Sequence, residues 1–379
     1  MGTPALAQVF KYRPTFIIHP MLNITIVFND LDWIMKIGKA KIVGKNAGRS
    51  LPSKQYPDKK PSVNPSPKII EAGPKPSPRK KASDLHIPEN CSNLHNYLLK
   101  NPPKSYKFSG KWPQINCFTS NSQFGDKIIR ILAEGLGLET HTALSGPKPG
   151  LNIIFGMLRG ADVLLKECFK KQMDFLFIDH AYFNQGHKLR RPAYRMTLNS
   201  MQQTRFRKYP DDRFLETGIR LKPWRTGGEY ILVCPPSESV MNIYGCWDWL
   251  TETLDELRKF TCSPVRIRHK PSGIRIDLSK GFAVPYQNED VNQTPTGLDE
   301  DLSGARAVVC HTSSVGIRAA IEGVPVICSK YSAAINLGTD RMDLIENLPR
   351  PDRMPHLHNL AYSQFYLDEI ATGYFWPFL

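Results

Sequence analysis

From about residue 105 the chain alternates short continuous apolar runs with amphipathic stretches. "PQINCFT" leads into "GDKIIRILAEGLGL", "LNIIFG" into "ADVLLKECFKKQ", and "DFLFID" into a loop. After "WRTGG" a second series follows: "EYILVCPPSE", "WDWLTETLDELRKF", "PVRIRHKP", "ARAVVCHTSS", "VGIRAAIEG" and "VPVICSK". Apolar runs of strand length without alternation are strands covered on both faces, and the intervening helical periodicity supplies the cover. Two such series predict an α/β fold with two doubly wound sheets facing a cleft. The expected domains are residues 105–227 and 228–355. Residues 356–379 are expected to form a C-terminal helix that returns to the first domain.

The region ahead of residue 105 has another texture. Residues 44–104 are rich in Pro, Lys and Ser, as in "SLPSKQYPDKKPSVNPSPKIIEAGPKPSPRKK", and predict an extended, disordered linker with too little apolar surface to offset chain entropy. Residues 1–43 form a short N-terminal segment with one strand-like run and a helical pattern, "DLDWIMKIGKAKIV". Within it Asp30-x-Asp32 has the spacing of a metal-diphosphate motif. Too few residues precede it for a nucleotide-binding half, so Asn29 is read as a helix N-cap and no metal is expected.

Charge sharpens this division. The 379 residues carry a net +15, yet residues 1–104 hold 17 Lys+Arg against 6 Asp+Glu, which leaves +11 in the tail and +4 in the body. Attraction to a polyanion such as DNA is therefore expected first from the tail. The apolar run "FIIHPMLNITIVF" is broken by His19, Pro20 and Asn23 and is too short to span a bilayer. Eight cysteines without a CxxC pair read as reduced core thiols, and a cytoplasmic location is expected.

In doubly wound sheets ligands bind beyond the carboxyl ends of strands. In the second series those ends are Ser237, Arg268 with Lys270, and His311, Thr312, Ser313 and Ser314. Fixed positive charge and amide donors at a helix start suit a diphosphate. Glu322 lies at the far end of the same short helix, where the dipole disfavours a carboxylate, so a ribose contact is an alternative to a plain surface role. In the first series "DFLFIDHAYF" places Asp179 and His180 at a strand end as candidate general bases, with Asp126 of "NSQFGDK" behind them. Tyr182 and Phe183 are candidate stacking rings for an acceptor. Arg195, within the basic and aromatic stretch 187–213, is a candidate contact to acceptor phosphate.

"HTSSVGIRAAIEGVPVI" resembles the nucleotide-sugar site of GT-B glycosyltransferases. "FIDHAYF", "YRMTLNSMQ", "ILVCPPSES", "RIRHKP" and "NLAYSQFYLDEIATGYFW" resemble bacteriophage-encoded members of that group, which are related to capsular polysaccharide transferases. The resemblance covers residues 105–379. It implies two Rossmann-like domains, transfer from a nucleotide-sugar, most simply a UDP-sugar, and no cofactor beyond that co-substrate. It also implies that the Ser-rich turn holds the donor diphosphate and Glu322 the ribose. The implied acceptor is a hydroxymethylated pyrimidine in DNA, with a polysaccharide as the alternative. Arg318 departs from the pattern by interrupting an otherwise apolar helix face. A nucleotide-sugar 2-epimerase of the same fold and a non-catalytic binding protein are the rival classes, and donor turnover separates them.

Overall fold

The computed structural model describes residues 16–18, 25–27, 112–185, 189, 191–270, 274–277, 282–285 and 297–379. The expected linker over 44–104 and the Asp30-x-Asp32 motif lie outside the described residues. The chain divides into two compact units, Met1–Asn64 and Pro65–Leu379. In the first, strands β1 (Phe16–Ile18) and β2 (Thr25–Val27) pair antiparallel.

The second unit is mixed α/β with two sheets. The first sheet contains β3 (Ile115–Thr119), β4 (Thr140–Thr142), β5 (Leu151–Phe155), β6 (Phe175–His180), β7 (Ala193–Leu198) and a late strand, β14 (Gln364–Tyr366), in the order β14-β7-β6-β5-β3-β4. The four strands from β4 to β6 are parallel, and β7 and β14 run antiparallel to their neighbours. The second sheet is parallel throughout, ordered β13-β12-β8-β9, from β8 (Tyr230–Cys234), β9 (Val265–Ile267), β12 (Ala305–Cys310) and β13 (Val326–Cys328). Between β9 and β12 a hairpin of β10 (Ile274–Asp277) and β11 (Phe282–Pro285) is inserted.

The continuous apolar strands are explained by cover on both faces. Every residue of β5 and of β8 is buried. In the first sheet, helix α1 (Gly125–Leu136) packs Ile128, Ile129 and Leu132 on one face, and α2 (Ala161–Lys171) packs Leu164, Leu165 and Cys168 on the other. Asn152 inside β5 is fully buried but satisfied: its Oδ1 accepts the Lys148 amide at 2.8 Å, and its Nδ2 donates to the carbonyls of Lys148, Gly150 and Asp174. A buried polar side chain is tolerated when its hydrogen bonds are made. In the second sheet α4 (Glu238–Tyr244) follows β8, α5 (Trp249–Leu257) leads to β9, α6 (Leu298–Gly304) precedes β12, and α7 (Val315–Ile321) joins β12 to β13.

Two glycines permit close approaches. Gly323, φ +80°, follows α7, and a Cβ there would lie 2.0 Å from the Pro223 carbonyl oxygen. Its amide bonds to the Ala320 carbonyl as the helix ends. Gly135 on α1 meets the Ala371 carbonyl, which lets the C-terminal segment sit against the first sheet.

That segment is not one helix. It forms α8 (Met354–Ala361), the short strand β14 and α9 (Leu367–Thr372), with β14 completing the first sheet against β7. A helix α3 (Asp212–Leu215) carries Arg213, whose buried guanidinium makes a two-pronged pair with Glu369, Nη1 to Oε1 at 2.9 Å and Nη2 to Oε2 at 2.8 Å. Five of the described cysteines (Cys117, Cys168, Cys234, Cys310 and Cys328) are buried free thiols; Cys246 is half-buried and Cys262 exposed. No described helix is long and apolar enough to cross a membrane.

Candidate active site

Strand order places a crevice in each sheet. In the first, the strand order reverses between the parallel neighbours β3 and β5; in the second, between β8 and β12. Loops leaving such neighbouring strands diverge to opposite faces and open a pocket beyond their carboxyl ends. Both crevices border one cavity of about 590 Å³. The first sheet contributes Ser120, Ser122 and Phe124 after β3, Phe155 through Arg159 after β5, and Asp179, His180 and Arg195 from β6 and β7. The second contributes Cys234 through Ser237, Arg268, Lys270, and Thr312 through Val315.

On the first wall Asp179 and Arg195 form an ion pair at 2.6 Å, with side chains 17% and 8% exposed. The second carboxylate oxygen of Asp179 accepts the His180 amide at 2.8 Å. The His180 ring stacks on Phe124 with centroids 6.2 Å apart and planes 13° apart, and meets Phe155 edge-on at 6.1 Å. These rings give the wall an aromatic face. Gln202 bridges the walls through Nε2, which donates to the Thr312 carbonyl at 3.4 Å.

On the second wall Ser237 is the N-cap residue of α4, and Ser313 accepts the Val315 amide through Oγ at 3.3 Å. Arg268 is paired with the buried carboxylate of Asp301, which also holds Arg266 at 2.9 Å. Lys270 is exposed at the cavity rim.

Five residues expected at the site from the sequence have other surroundings in the structure. Tyr182 and Phe183 are buried core residues that, unlike Phe155, do not line the cavity: the Tyr182 hydroxyl accepts the Gln203 amide at 2.7 Å, and burial pushes its pKa up to about 12. Phe183 packs edge-on against Phe214. His311 is likewise buried, packed against Tyr244 and Trp249, with its pKa lowered by burial, and it does not line the cavity. Asp126 spends Oδ1 on the Ser120 amide at 2.8 Å, which fixes the loop between β3 and α1 and keeps the carboxylate out of the cavity lining. Glu322 is paired with Lys222 at 2.5 Å and Arg318 at 3.2 Å, and it too lies outside the lining. The same pairing accounts for Arg318, whose guanidinium reaches Asp299 and Glu322 on the outer side of α7 and leaves the apolar face of the helix intact.

Phe124, Phe155, Arg159, Gln185 and Gln202 line the cavity without having been singled out in the sequence. The signal for Phe155 and Arg159 was present, since they stand at the carboxyl end of the strand "LNIIF" and just beyond it. Phe124 and Gln202 reach the cavity from loops whose course depends on tertiary packing.

No protein-family model matches the chain, and no curated protein matches it. Among solved structures the chain is similar to KpsC of Thermosulfurimonas dismutans, described as a beta Kdo 2,4 transferase, at 12% identity and a TM-score of 0.39, covering 66% of this chain and 91% of that one. A likeness of this size leaves the chemistry to be argued from the cavity.

Proposed function

We propose that the protein is a GT-B-type glycosyltransferase that moves a sugar from a nucleotide-sugar, in the first instance a UDP-sugar, to a hydroxyl acceptor. The observation that carries this reading is the convergence of two strand-end crevices on one cavity. One wall has hydroxyls and cations suited to a diphosphate, and the other has a basic group on an aromatic face.

On the donor wall Ser237, Thr312, Ser313 and Ser314 supply hydrogen-bond partners, and Arg268 and Lys270 supply charge to the departing diphosphate. On the acceptor wall His180 is the general base. It removes the acceptor hydroxyl proton as that oxygen attacks the anomeric carbon and the bond from that carbon to the diphosphate oxygen breaks. Asp179, with both oxygens engaged, is a positioning residue for the strand end that carries His180. The ring of the acceptor is assigned to the Phe124, Phe155 and His180 face, in place of Tyr182 and Phe183.

The expectation of a DNA acceptor rests on the resemblance to bacteriophage enzymes and on the charge of residues 1–104, which lie outside the described residues apart from two short strands; the experiment therefore offers both acceptors. The chain is incubated with a panel of nucleotide-sugars, with hydroxymethylated DNA or an oligosaccharide as acceptor, and products are read by mass spectrometry. Sugar added to either acceptor supports the reading. Release of nucleotide with epimerised sugar and no acceptor replaces it with the epimerase. No turnover of any donor, with no nucleotide binding, overturns it.

A further inference from the structure

Arg159 is the cavity cation that no carboxylate holds on the first wall. It is half-buried and makes no ion pair or side-chain hydrogen bond among the described residues. The other two guanidinium groups lining the cavity are each held, Arg195 by Asp179 and Arg268 by Asp301. Asp179 is also the only carboxylate among the described lining residues, and both its oxygens are engaged. A partly desolvated guanidinium without a counter-charge is costly unless a ligand supplies one.

The backbone adds an independent observation. Arg159 adopts φ +57°, between Gly156 at +68° and Gly160 at +98°. A non-glycine residue in the left-handed region costs about 1 kcal/mol or more, and such departures persist where the surroundings hold them for a function. This loop follows β5 at the strand-order reversal of the first sheet, where a ligand of that sheet is expected. It adjoins the aromatic face, since Phe155 belongs to both.

From these features we infer that the acceptor is anionic and that Arg159 holds its phosphate or carboxylate while the acceptor ring lies on the Phe124, Phe155 and His180 face. The inference rests on the sugar-transfer reading for the word acceptor, but the anion site itself does not require it. A guanidinium matches either anion through two parallel N–H donors, so the phosphate of a nucleotide and the carboxylate of an acidic sugar share this chemistry.

The test uses the full chain and two matched pairs of probes, 5-hydroxymethyldeoxycytidine against its 5′-monophosphate and glucose against glucuronate, with binding read by saturation-transfer NMR and calorimetry. Each probe is titrated with and without saturating UDP. The expected result is that the anionic member of one pair binds at least about tenfold more tightly than its neutral partner, with UDP present or absent. Which pair shows the preference identifies the source of the anion. Arg159→Gln removes the preference while UDP affinity stays unchanged, and Arg159→Lys retains part of it. Equal binding of neutral and anionic probes, no binding of any probe, or an undiminished preference in Arg159→Gln overturns the inference. Failure of UDP to bind while the anionic preference and its loss in Arg159→Gln are observed overturns the donor reading and leaves the anion site standing.

Discussion

Asp179 and Arg195 are register partners on the antiparallel strands β6 and β7, and their side chains close an ion pair of 2.6 Å on the floor of the cavity. The pairing of these two strands therefore sets the position of the one carboxylate among the described lining residues. Removing Arg195 leaves that carboxylate partly buried and without its cation, which is costly, whereas removing both charges is far milder. Arg195→Met is expected to destabilise the chain by about 3 kcal/mol, and the double variant Arg195→Met with Asp179→Asn to recover most of that loss. Urea denaturation of the three proteins measures the difference; equal stabilities would show that the pair has no coupling.

His180→Ala is expected to lower turnover by about two orders of magnitude with donor affinity kept, as loss of a general base should. Rates measured at saturating donor decide the point. Near-normal turnover would move the base elsewhere in the cavity.

On the donor wall, Lys270→Ala and a double change of Ser313 and Ser314 to Val are each expected to weaken UDP binding by about tenfold. Glu322→Gln is expected to leave it within about twofold, because that carboxylate is occupied by Lys222 and Arg318 outside the cavity. Calorimetry with UDP distinguishes the two outcomes, and a large loss in Glu322→Gln would restore the ribose role.

Arg213 and Glu369 tie α3 to the C-terminal segment through a buried two-pronged pair, and Arg213 also donates to the carbonyls of Ala361 and Gln364. Arg213→Ala leaves Glu369 and two carbonyls without these partners and is expected to cost about 3–5 kcal/mol. A thermal or urea melt checks it. A loss under about 1 kcal/mol would mean that the C-terminal segment holds without the pair.

Acid should weaken the fold partly through His356. Its buried ring donates from Nε2 to the Ala333 carbonyl at 2.7 Å, and burial lowers its pKa to about 4. The unfolded chain binds this proton near the ordinary value of about 6.5, so the native state binds fewer protons between the two values. Stability is therefore lost as pH falls through that window, by up to about 1.4 kcal/mol per pH unit from this group. His311, also lowered by burial, acts in the same direction. Stability curves for His356→Gln between pH 7 and pH 4.5 should be flatter than for the parent; an unchanged slope would remove His356 from the account.

Much of the architecture was legible in the chain. The continuous apolar runs in "LNIIF" and "YILVC" are strands because only doubly covered strands bury every side chain, and the helical stretches between them supply that cover. The strand ends carrying Asp179, His180, Ser237, Arg268 and Ser313 could also be named, since the rule that ligands bind beyond carboxyl ends needs only strand positions. The same rule applies to Arg159, which stands just beyond the carboxyl end of "LNIIF".

Only tertiary structure decided which polar and aromatic residues near those ends face the cavity. Tyr182 and Phe183 follow a strand end in sequence yet are buried, because the chain turns inward there and Gln364, from the far end of the sequence, accepts both of their amides through Oε1. Phe124 lines the cavity from a loop after another strand. Glu322 looked available because Lys222, one of its two partners, is contributed by a segment whose approach no local pattern encodes. Local periodicity determines what an element is and which face it buries. Which carboxylate finds a cation, and which ring finds a cavity, depends on contacts between residues far apart in the chain.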